Sequence, residues 1–379
     1  MADLEYWVWL SLAFEKANGV TDEILRRGAD PEQLYNERGA AWLAAGDNRR
    51  LRRPGLMDQA RRIVERMARE KVDVLSPENP RYPDRLRHIY ASPCVLYVEG
   101  SLDGIDDQLA IAMVGARRCS DYGSRAAVQL GSDLARAGAV IVSGLAEGID
   151  SFSHSAAVRN DGRTIAVLGN GIDKTYPAQN KALREQIVEN GAVITEFAPG
   201  TQPYPGNFPL RNRIISGLAL GVVVVEAGEH SGSLITAHLA LEQGKDIFAV
   251  PGSIFSPSSK GTFRLLQQGA APASCAEDIL EGYLDRFGGI VRLEERTEED
   301  VPEQGPAEGI SAVEQEPAGL SESALAVYRM LAGQPVTMEE MTLHLQKPVN
   351  EVLTALTELE IMGLVSALSG GRYRRTPIR

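Results

Sequence analysis

The sequence contains little cysteine, with three in 379 residues. Cys94, Cys119 and Cys275 stand far apart and form no C-x-x-C pair, which argues against a zinc site and against a disulfide framework. No run approaches the roughly 18 apolar residues of a membrane span, and the first ten residues carry acids where a secretory signal carries lysine or arginine. We therefore expect a protein of the reducing cytoplasm, without a metal and without a membrane partner.

Motifs of nucleotide chemistry are missing as well. A dinucleotide fold would show G-x-G-x-x-G after its first strand, but residues 115–123 are G-A-R-R-C-S-D-Y-G and Gly169-Asn170-Gly171 lacks a third glycine. The P-loop pattern G-x-x-x-x-G-K-[ST] and the spacing of a Ser/His/Asp triad are also absent. Asp150 and His154 are better explained as a hydrogen-bonded pair that braces a turn. The sequence therefore favours binding over catalysis and implies no cofactor.

The net charge of −12 is concentrated in one segment. Residues 294–316 hold nine acids against one base, a local charge of −8, and are rich in proline, glycine and alanine. Such a composition is typical of a flexible linker, which we assign to residues 291–317. Without that local charge the rest of the chain carries only −4, so a local basic site for an anionic ligand is possible.

The chain length predicts two or three domains. Short helical patterns fill residues 1–55, an α/β pattern fills residues 56–290, and a small domain occupies residues 318–379. Across the first boundary, residues 48–71 hold nine basic residues against three acids. This segment is either a face for nucleic acid or a partner, or the solvated side of an amphipathic helix, and the second interpretation is the simpler.

The central domain alternates six apolar strands with amphipathic helices. Continuous Val, Ile and Ala runs are typical of buried parallel strands joined by right-handed crossovers. The sequence therefore predicts an α/β fold, a doubly wound parallel sheet, whose ligand binds beyond the carboxyl ends of the strands. The predicted strands are residues 108–116, 139–146, 163–169, 192–197, 221–227 and 246–250.

Basic residues and glycines follow several of these strands. Arginines and a lysine would gather on one rim of the sheet, beside glycines that let an anion approach backbone N–H groups. The sequence therefore predicts a phosphate-binding edge. Arg118 adds charge to it, and the candidate site residues are Gly115, Ala116, Arg117, Ser143, Gly144, Phe208, Arg211, Asn212, Arg213, Ser231, Gly232, Ser233 and Lys260.

The most informative of the segments that follow a strand, which we call strand exits, is the helix start that contains Phe208, Arg211 and Arg213. A phenylalanine can stack on a base while guanidinium groups grip phosphate oxygens. Cations are disfavoured near the positive N-terminal end of a helix, so arginines there indicate that an anion joins them. Considered alone, the segment could equally hold a hydrophobic staple and solvated arginines.

Ordered motifs run through residues 103–279. They are S-G-L-A-E-G-I-D-S-F-S-H, T-I-A-V-L-G-N-G-I-D-K-T-Y-P, F-P-L-R-N-R-I-I-S-G-L, E-H-S-G-S-L-I-T-A-H-L-A-L-E-Q-G-K and F-A-V-P-G. In this order and at these separations they resemble the DNA-processing protein DprA (Smf) family. Residues 1–55 resemble the small helical, SAM-like domain of that family only loosely.

The resemblance implies an extended Rossmann-like domain that binds single-stranded DNA, protects it and loads RecA on it during natural transformation. It also implies a homodimer and a protein that is not an enzyme. The family's motifs fall on the strand exits named above, with Arg117 on a phosphate and Phe208 to Arg213 as the pocket. Phe263 stands where the family usually has a polar residue, which puts one polar contact in doubt.

Residues 318–379 predict three helices and a hairpin with a Gly-Gly turn, a winged-helix pattern that the family often carries. The third helix contains Glu351, Glu358 and Glu360 and no lysine or arginine. A helix that enters the major groove of DNA should not be acidic, so we expect a protein-contact or auxiliary role. Basic residues on the hairpin that could still touch phosphate are Arg372, Arg374 and Arg375.

Two enzyme classes are the alternatives to a DNA-binding mediator. A Rossmann-like phosphoribohydrolase would show P-G-G-x-G-T-x-x-E, where this sequence has E-A-G-E-H-S-G-S-L. Hydrolysis of 5′-monophosphate nucleotides that depends on Glu226 would indicate such an enzyme. A dinucleotide-dependent oxidoreductase is disfavoured by the absent glycine fingerprint.

Overall fold

A computed structural model describes residues 3–14, 19–289, 291, 320–331, 336–345, 347–368 and 372–375. The chain forms two compact units, Met1–Glu294 and Glu295–Arg379. Apart from residue 291, the predicted linker lies outside the described residues. Within those ranges, no helix combines the length and the apolar character that a membrane crossing requires.

The first unit opens with five helices, α1 Leu4–Ala13, α2 Val20–Arg27, α3 Pro31–Asn36, α4 Ala45–Leu51 and α5 Leu56–Glu70. The rings of Trp7 and Trp9 in α1 are buried. The apolar cluster that contains them extends through α5 to Ala166 and Val193, which lie on strands of the following sheet. The N-terminal helices therefore share a core with one face of that sheet, and a domain boundary at residue 55 stays a prediction.

The first unit is built on a nine-stranded sheet in the order β1-β2-β6-β5-β4-β3-β7-β8-β9. All pairs from β6 to β9 are parallel, whereas β1 and β2 extend the β6 edge in antiparallel fashion. The predicted doubly wound sheet is confirmed: β3 to β8 are the six predicted parallel strands, and the short β9 adds a seventh. The strands are β1 Asp73–Leu75, β2 Leu96–Gly100, β3 Ala110–Val114, β4 Val140–Ser143, β5 Thr164–Val167, β6 Ala192–Thr195, β7 Gly221–Val224, β8 Asp246–Ala249 and β9 Ala271–Pro272.

Helices cover both faces of the sheet, so its central strands are apolar at almost every position. This explains why the strands appear in the sequence as continuous runs instead of alternating ones. The helices are α6 Asp84–Arg87, α7 Asp121–Arg136, α8 Ile149–Arg159, α9 Lys181–Asn190, α10 Asn207–Leu218, α11 Ser233–Glu242, α12 Lys260–Gln267, α13 Glu277–Leu280 and α14 Leu284–Phe287. Short 3₁₀ segments are Ile105–Asp107, Ala178–Asn180, Pro257–Ser259 and Glu281–Tyr283.

The direction of winding changes between β3 and β7. From β3 to β6 each new strand is added on one side, and α10 then carries the chain back so that β7 pairs with the other side of β3. Open α/β sheets bind ligands in the crevice beyond the carboxyl ends of the strands at such a point. The topology therefore locates the candidate site between the exits of β3 and β7.

The described residues of the second unit form three helices and a three-stranded antiparallel sheet in the order β10-β12-β11. Its core includes Val327, Met341 and Leu356. The winged-helix architecture is confirmed, and the predicted Gly-Gly turn lies outside the described residues. The elements are α15 Glu322–Met330, β10 Val336–Thr337, α16 Met338–Leu345, α17 Val349–Ile361, β11 Val365–Leu368 and β12 Arg372–Arg375.

Candidate nucleic-acid interface

A cleft of about 740 Å³ lies beyond the carboxyl ends of β3 and β7. Three arginines line it, and the acid among its lining residues is the buried Asp150. The cleft therefore favours an anionic ligand. The predicted site residues that line it are Gly115, Ala116, Arg117, Phe208, Arg211, Asn212, Ser231, Gly232 and Ser233.

Two arginines approach the ring of Phe208 in the first turn of α10. The guanidinium carbons of Arg117 and Arg211 lie 5.0 Å and 5.8 Å from the ring centroid. The ring of Tyr176, which is 41% exposed, lies 5.6 Å from that of Phe208 at an angle of 40°. Two cations and two aromatic rings thus meet in one place, which suits a ligand that carries both phosphate and a base.

Arg211 is anchored at the ends of two strands and is only 3% exposed. Its Nη1 donates to the carbonyl oxygen of Gly144 at 2.8 Å and to that of Val167, at the exits of β4 and β5. Burial lowers the pKa of Arg211 to about 10; Asp150 opposes this shift and Arg117 adds to it. The guanidinium therefore remains charged at neutral pH, with a second cation beside it.

Two glycines make room for these side chains. A Cβ at Gly144 would lie 2.5 Å from Nη2 of Arg211, and a Cβ at Gly169 would lie 2.8 Å from Cδ1 of Phe208. Both distances are too short for non-bonded heavy atoms, so a larger residue would displace the arginine or the ring. Glycine at strand exits was expected to admit a phosphate to the backbone. At Gly144 the space is instead filled by Arg211, and Gly144 does not line the cleft.

Asp150 and His154 brace different parts of the fold and are not bonded to each other. Oδ2 of Asp150 accepts hydrogen bonds from the N–H groups of Gly144 and Ala146 at 3.1 and 3.3 Å, and burial raises its pKa. Nδ1 of His154 lies 2.7 Å from Oγ1 of Thr164, and burial lowers the pKa of His154 to about 3. The predicted hydrogen-bonded pair is therefore wrong, although both side chains are structural.

The start of α11 supplies another part of the lining. Oγ of Ser231 lies 2.8 Å from Oγ of Ser233, Gly232 is exposed, and the first turn contains no acid. The N–H groups and the positive end of the dipole at a helix N-terminus attract anions. This wall therefore offers a second place for phosphate, next to the imidazole of His230, which also lines the cleft.

Arg213 does not belong to the cleft. Its two terminal nitrogens donate to the two carboxylate oxygens of Glu196 at 2.6 Å each, and Nε donates to the carbonyl oxygen of Ala91 at 3.0 Å. The predicted phosphate contact at Arg213 is therefore wrong, because the guanidinium is buried in an internal ion pair. Positions 211 and 213 are about 200° apart around a helix of 3.6 residues per turn, so they face different surroundings.

Two other predicted contacts also lie outside the lining. Oγ of Ser143 is fully buried and donates to the carbonyl oxygen of Met113 at 2.6 Å, so it has no hydroxyl to offer to DNA. Lys260 is exposed at the start of α12, as is Phe263 one turn later, and neither lines the cleft. For Lys260 a DNA contact stays a prediction.

Glu226, the residue on which the hydrolase alternative depends, is buried beneath the start of α7. Oε2 accepts from the N–H group of Ser120 at 2.8 Å, and Oε1 accepts from the hydroxyl of Ser258. Glu226 does not line the cleft. Among the described residues, no three His, Cys, Asp or Glu side chains are grouped as a metal site.

Tyr176 and His230 line the cleft but were not among the predicted site residues. Tyr176 lies in the segment that follows β5, within the motif T-Y-P, and His230 directly precedes the serine-glycine turn before α11. Both follow strands of the parallel set. The same rule that selected the other exits could therefore have found them.

Two protein-family models match this chain. The family model for the DNA recombination-mediator protein A matches residues 73–284, and the model for the DprA winged helix domain matches residues 311–371. The chain belongs to this family. The resemblance inferred from the motifs is confirmed, and the first 72 residues lie outside both matched ranges.

Relatives of the DprA family agree over long stretches. Protein Smf of Synechocystis sp. is 33% identical over 405 aligned positions, which cover 99% of this chain and 100% of that protein. The X-ray structure of DprA from Streptococcus pneumoniae superposes with a TM-score of 0.59 at 36% identity, covering 74% of this chain and 98% of that one. A DprA structure from Helicobacter pylori, described by its single-stranded DNA binding mode, gives a TM-score of 0.51 at 30% identity, covering 56% and 96%.

Proposed function

We propose that this protein binds single-stranded DNA in the cleft and acts as a recombination mediator. The observation that carries the proposal is the ring of Phe208 with the guanidinium groups of Arg117 and Arg211 at 5.0 and 5.8 Å. Two neighbouring cations repel each other, so this cluster gains stability when an anion joins it. Membership of a family of DNA-binding mediators supports DNA as that anion.

Two kinds of group in the cleft contact the strand. Arg117, Arg118 and the start of α11 take phosphates, while Phe208 and Tyr176 offer ring faces to bases. Arg211 is buried and already donates to two carbonyl groups, so it acts as a fixed charge in the cleft wall. Stacking is tolerant of sequence because every base has a ring face. The binding is therefore sequence-independent, and it weakens steeply as salt concentration rises.

Single strands are preferred over duplex DNA. Bases of a duplex are paired and stacked, so they present no free face to Phe208. The relative from Helicobacter pylori is itself described by its single-stranded DNA binding mode. A duplex would keep only the phosphate contacts of the cleft and lose the stacking contribution, which is about 1–3 kcal/mol per base.

Family membership also supports three finer roles. The protein protects incoming single-stranded DNA in the cytoplasm, loads RecA on it during natural transformation, and works as a homodimer formed through the α/β unit. The cleft provides the DNA contact that the first two of these roles require. Co-purification of RecA with the protein in the absence of DNA, and the molar mass of the protein in solution, test the two partner assignments directly.

A nucleotide hydrolase is the alternative, and no contact of the site favours it. Both carboxylate oxygens of Glu226 accept hydrogen bonds from Ser120 and Ser258, so this carboxylate holds the start of α7. We therefore assign the protein a binding role without catalysis. Turnover of a 5′-monophosphate nucleotide that disappears in Glu226→Gln would reverse this assignment.

The decisive experiment is a titration of labelled oligonucleotides, single-stranded and duplex, over a salt series. Arg117→Ala removes an exposed cation, and its matched control is Arg136→Ala, an exposed arginine in the last turn of α7. We expect Arg117→Ala to weaken single-strand binding and to reduce the salt slope by about 0.7, while the control matches the unmodified protein. Equal affinities of all three proteins at every salt concentration would refute the proposed site.

A further inference from the structure

A second basic surface lies on the N-terminal helices, outside the range matched by the family model. Between residues 38 and 53 the sequence has five arginines and one acid, Asp47. All five arginines are exposed. We call this surface the N-terminal arginine patch, and its members are Arg38, Arg49, Arg50, Arg52 and Arg53.

The fold holds the two segments of the patch together. Nε of Arg52, which follows α4, donates to the carbonyl oxygen of Arg38 at 2.8 Å. The side chain of Asn48 accepts from the N–H group of Ala40 and donates to its carbonyl oxygen, both at 3.0 Å. These bonds fix the loop between α3 and α4 against α4. The arginines therefore form one surface rather than two separate basic runs.

Three of the five arginines of the patch have no acidic partner among the described residues. No acidic side chain of the described residues forms an ion pair with Arg38, Arg49 or Arg52, and Asp47 lies 3.7 Å from Arg50. Like charges at this density repel one another. An anion that neutralises several guanidinium groups at once would therefore stabilise this surface.

Two of the four arginines of α5 behave differently. Arg61 pairs with Glu5 at 3.2 Å, and Arg66 pairs with Glu70 at 2.9 Å and with Asp173 at 3.3 Å. The apolar face of α5 is buried through residues such as Ile63 and Met67. Helix α5 is therefore an amphipathic helix with a solvated face. This interpretation does not explain the patch that precedes α5.

Helix α5 links the patch to the cleft. It begins at Leu56, next to the patch, and its Arg66 pairs with Asp173. Asp173 is three residues before Tyr176, which lines the cleft. With a rise of about 1.5 Å per residue, the distance along α5 from Leu56 to Arg66 is about 15 Å. A strand that leaves the cleft past Tyr176 therefore has a short path to the patch.

We propose that the N-terminal arginine patch is a second contact for the backbone of the same DNA single strand, beyond the cleft. This inference rests on the proposed function and adds a site to it. The patch takes phosphates alone, so its contribution is independent of sequence and sensitive to salt. Strands too short to extend past the cleft do not reach it.

The test uses the full-length chain and a length series of oligothymidylates. The patch variant is Arg38→Gln with Arg49→Gln and Arg50→Gln. The matched control is Arg69→Gln with Arg136→Gln and Arg159→Gln, three exposed arginines in the last turns of α5, α7 and α8. Both variants lose three positive charges. In each variant, most of the changed arginines lie in the C-terminal turn of a helix, where a cation interacts favourably with the helix dipole.

We expect affinity and salt slope of the unmodified protein and of the control to increase with strand length beyond the cleft. The patch variant should match them on the shortest strands and gain less from longer ones, where only Arg52 and Arg53 of the patch remain. Its salt slope on long strands should be lower by about 0.7 for each lost contact, about 2 in total. Between 200 and 50 mM salt, its deficit should then change roughly 16-fold.

The outcomes separate this proposal from the one on which it rests. If the patch variant and the control show the same length dependence, the patch does not contact the strand. If Arg117→Ala leaves binding of the shortest strands unchanged, the cleft assignment fails instead. Duplexes of the same lengths are titrated alongside, and a loss confined to them would overturn the single-strand assignment of the patch. Thermal unfolding of both variants, and the single change Arg49→Gln, exclude misfolding as the cause.

Discussion

The cleft of the α/β unit and the winged-helix unit are both candidates for binding nucleic acid, but their charges are arranged in opposite ways. In the cleft, Arg117 and Arg211 share the surroundings of Phe208 without a neighbouring exposed acid among the lining residues. In the winged-helix unit, α17 is acidic. Oε1 of Glu351 accepts from Nζ of Lys347 at 2.6 Å, and Glu358 accepts from the N–H group of Ser321 at 2.8 Å.

If DNA binds in the cleft as proposed, the arrangement of charge distinguishes the two regions more clearly than the fold does. In the winged-helix unit even Arg375 lies over the ring of Tyr328 at 3.9 Å and donates to its carbonyl oxygen at 2.7 Å. Leu343 of α16 is 78% exposed, and Leu353 of α17 is 49% exposed. Exposed apolar side chains on such helices suit contact with a protein, as expected from the acidic helix.

The largest effect should come from Phe208→Ala. Loss of the stacking ring should weaken single-strand binding by about 1–3 kcal/mol, and duplex binding should change little because a duplex offers no free base. Fluorescence anisotropy with a labelled oligonucleotide measures both affinities. Tyr90→Ala, which removes an exposed aromatic of the same unit outside the cleft, is the control. Equal losses for both variants would mean that Phe208 is not a stacking site.

Lowering the pH should affect the stabilities of the two units differently. Burial lowers the pKa of His154 to about 3. Below pH 6.5, therefore, His154 binds a proton in the unfolded chain but not in the native fold. The stability of the first unit should then fall as pH decreases, by roughly 2 kcal/mol between pH 6.5 and 5. In the second unit, hydrogen bonds from Lys347 and Ser321 hold the pKa values of Glu351 and Glu358 below their usual range. Their contribution is present above about pH 4.5 and is lost only as pH falls further.

Tryptophan fluorescence can follow the first unit alone, because all three tryptophans, Trp7, Trp9 and Trp42, lie in it. Urea unfolding followed by this signal should show the loss of stability between pH 6.5 and 5. His154→Gln removes the titrating group and should flatten this dependence. If the slope is the same with and without the histidine, burial of His154 is not its cause.

Tyr176→Ala should give a smaller loss than Phe208→Ala. Tyr176 adds a second ring face to the site, and its removal should cost about 1 kcal/mol of single-strand binding, at the lower end of the range for stacking. Tyr176→Phe keeps the ring and should bind like the unmodified protein. The double variant with Phe208→Ala should lose less than the sum of the single changes, because the rings lie 5.6 Å apart and share one ligand. If the two losses of binding free energy add exactly in the double variant, the two rings contact separate bases.

Much of the fold was predictable because buried parallel strands and their helices leave periodic patterns in the sequence. The site was predictable at the level of strand exits, since parallel topology brings them to one edge. It was not predictable at the level of single side chains. Arg211 and Arg213 have the same chemistry and point in different directions around α10, but which of them faces the cleft depends on where Gly144 and Glu196 lie. Those positions come from distant parts of the chain, which local sequence patterns do not contain.

The smallest effect should come from Arg372→Ala combined with Arg374→Ala on β12. Both side chains are exposed, but Arg372 lies near Glu340, whose pKa it helps to lower, so part of its charge is already compensated. We expect single-strand affinity to stay within about twofold, since exposed charge pairs contribute about 0–1 kcal/mol, and we expect the salt slope to be unchanged. The measurement is the same titration used for Arg117→Ala. A loss as large as that of Arg117→Ala would place the winged-helix unit on the DNA path, and unpaired charge would then no longer distinguish the two regions.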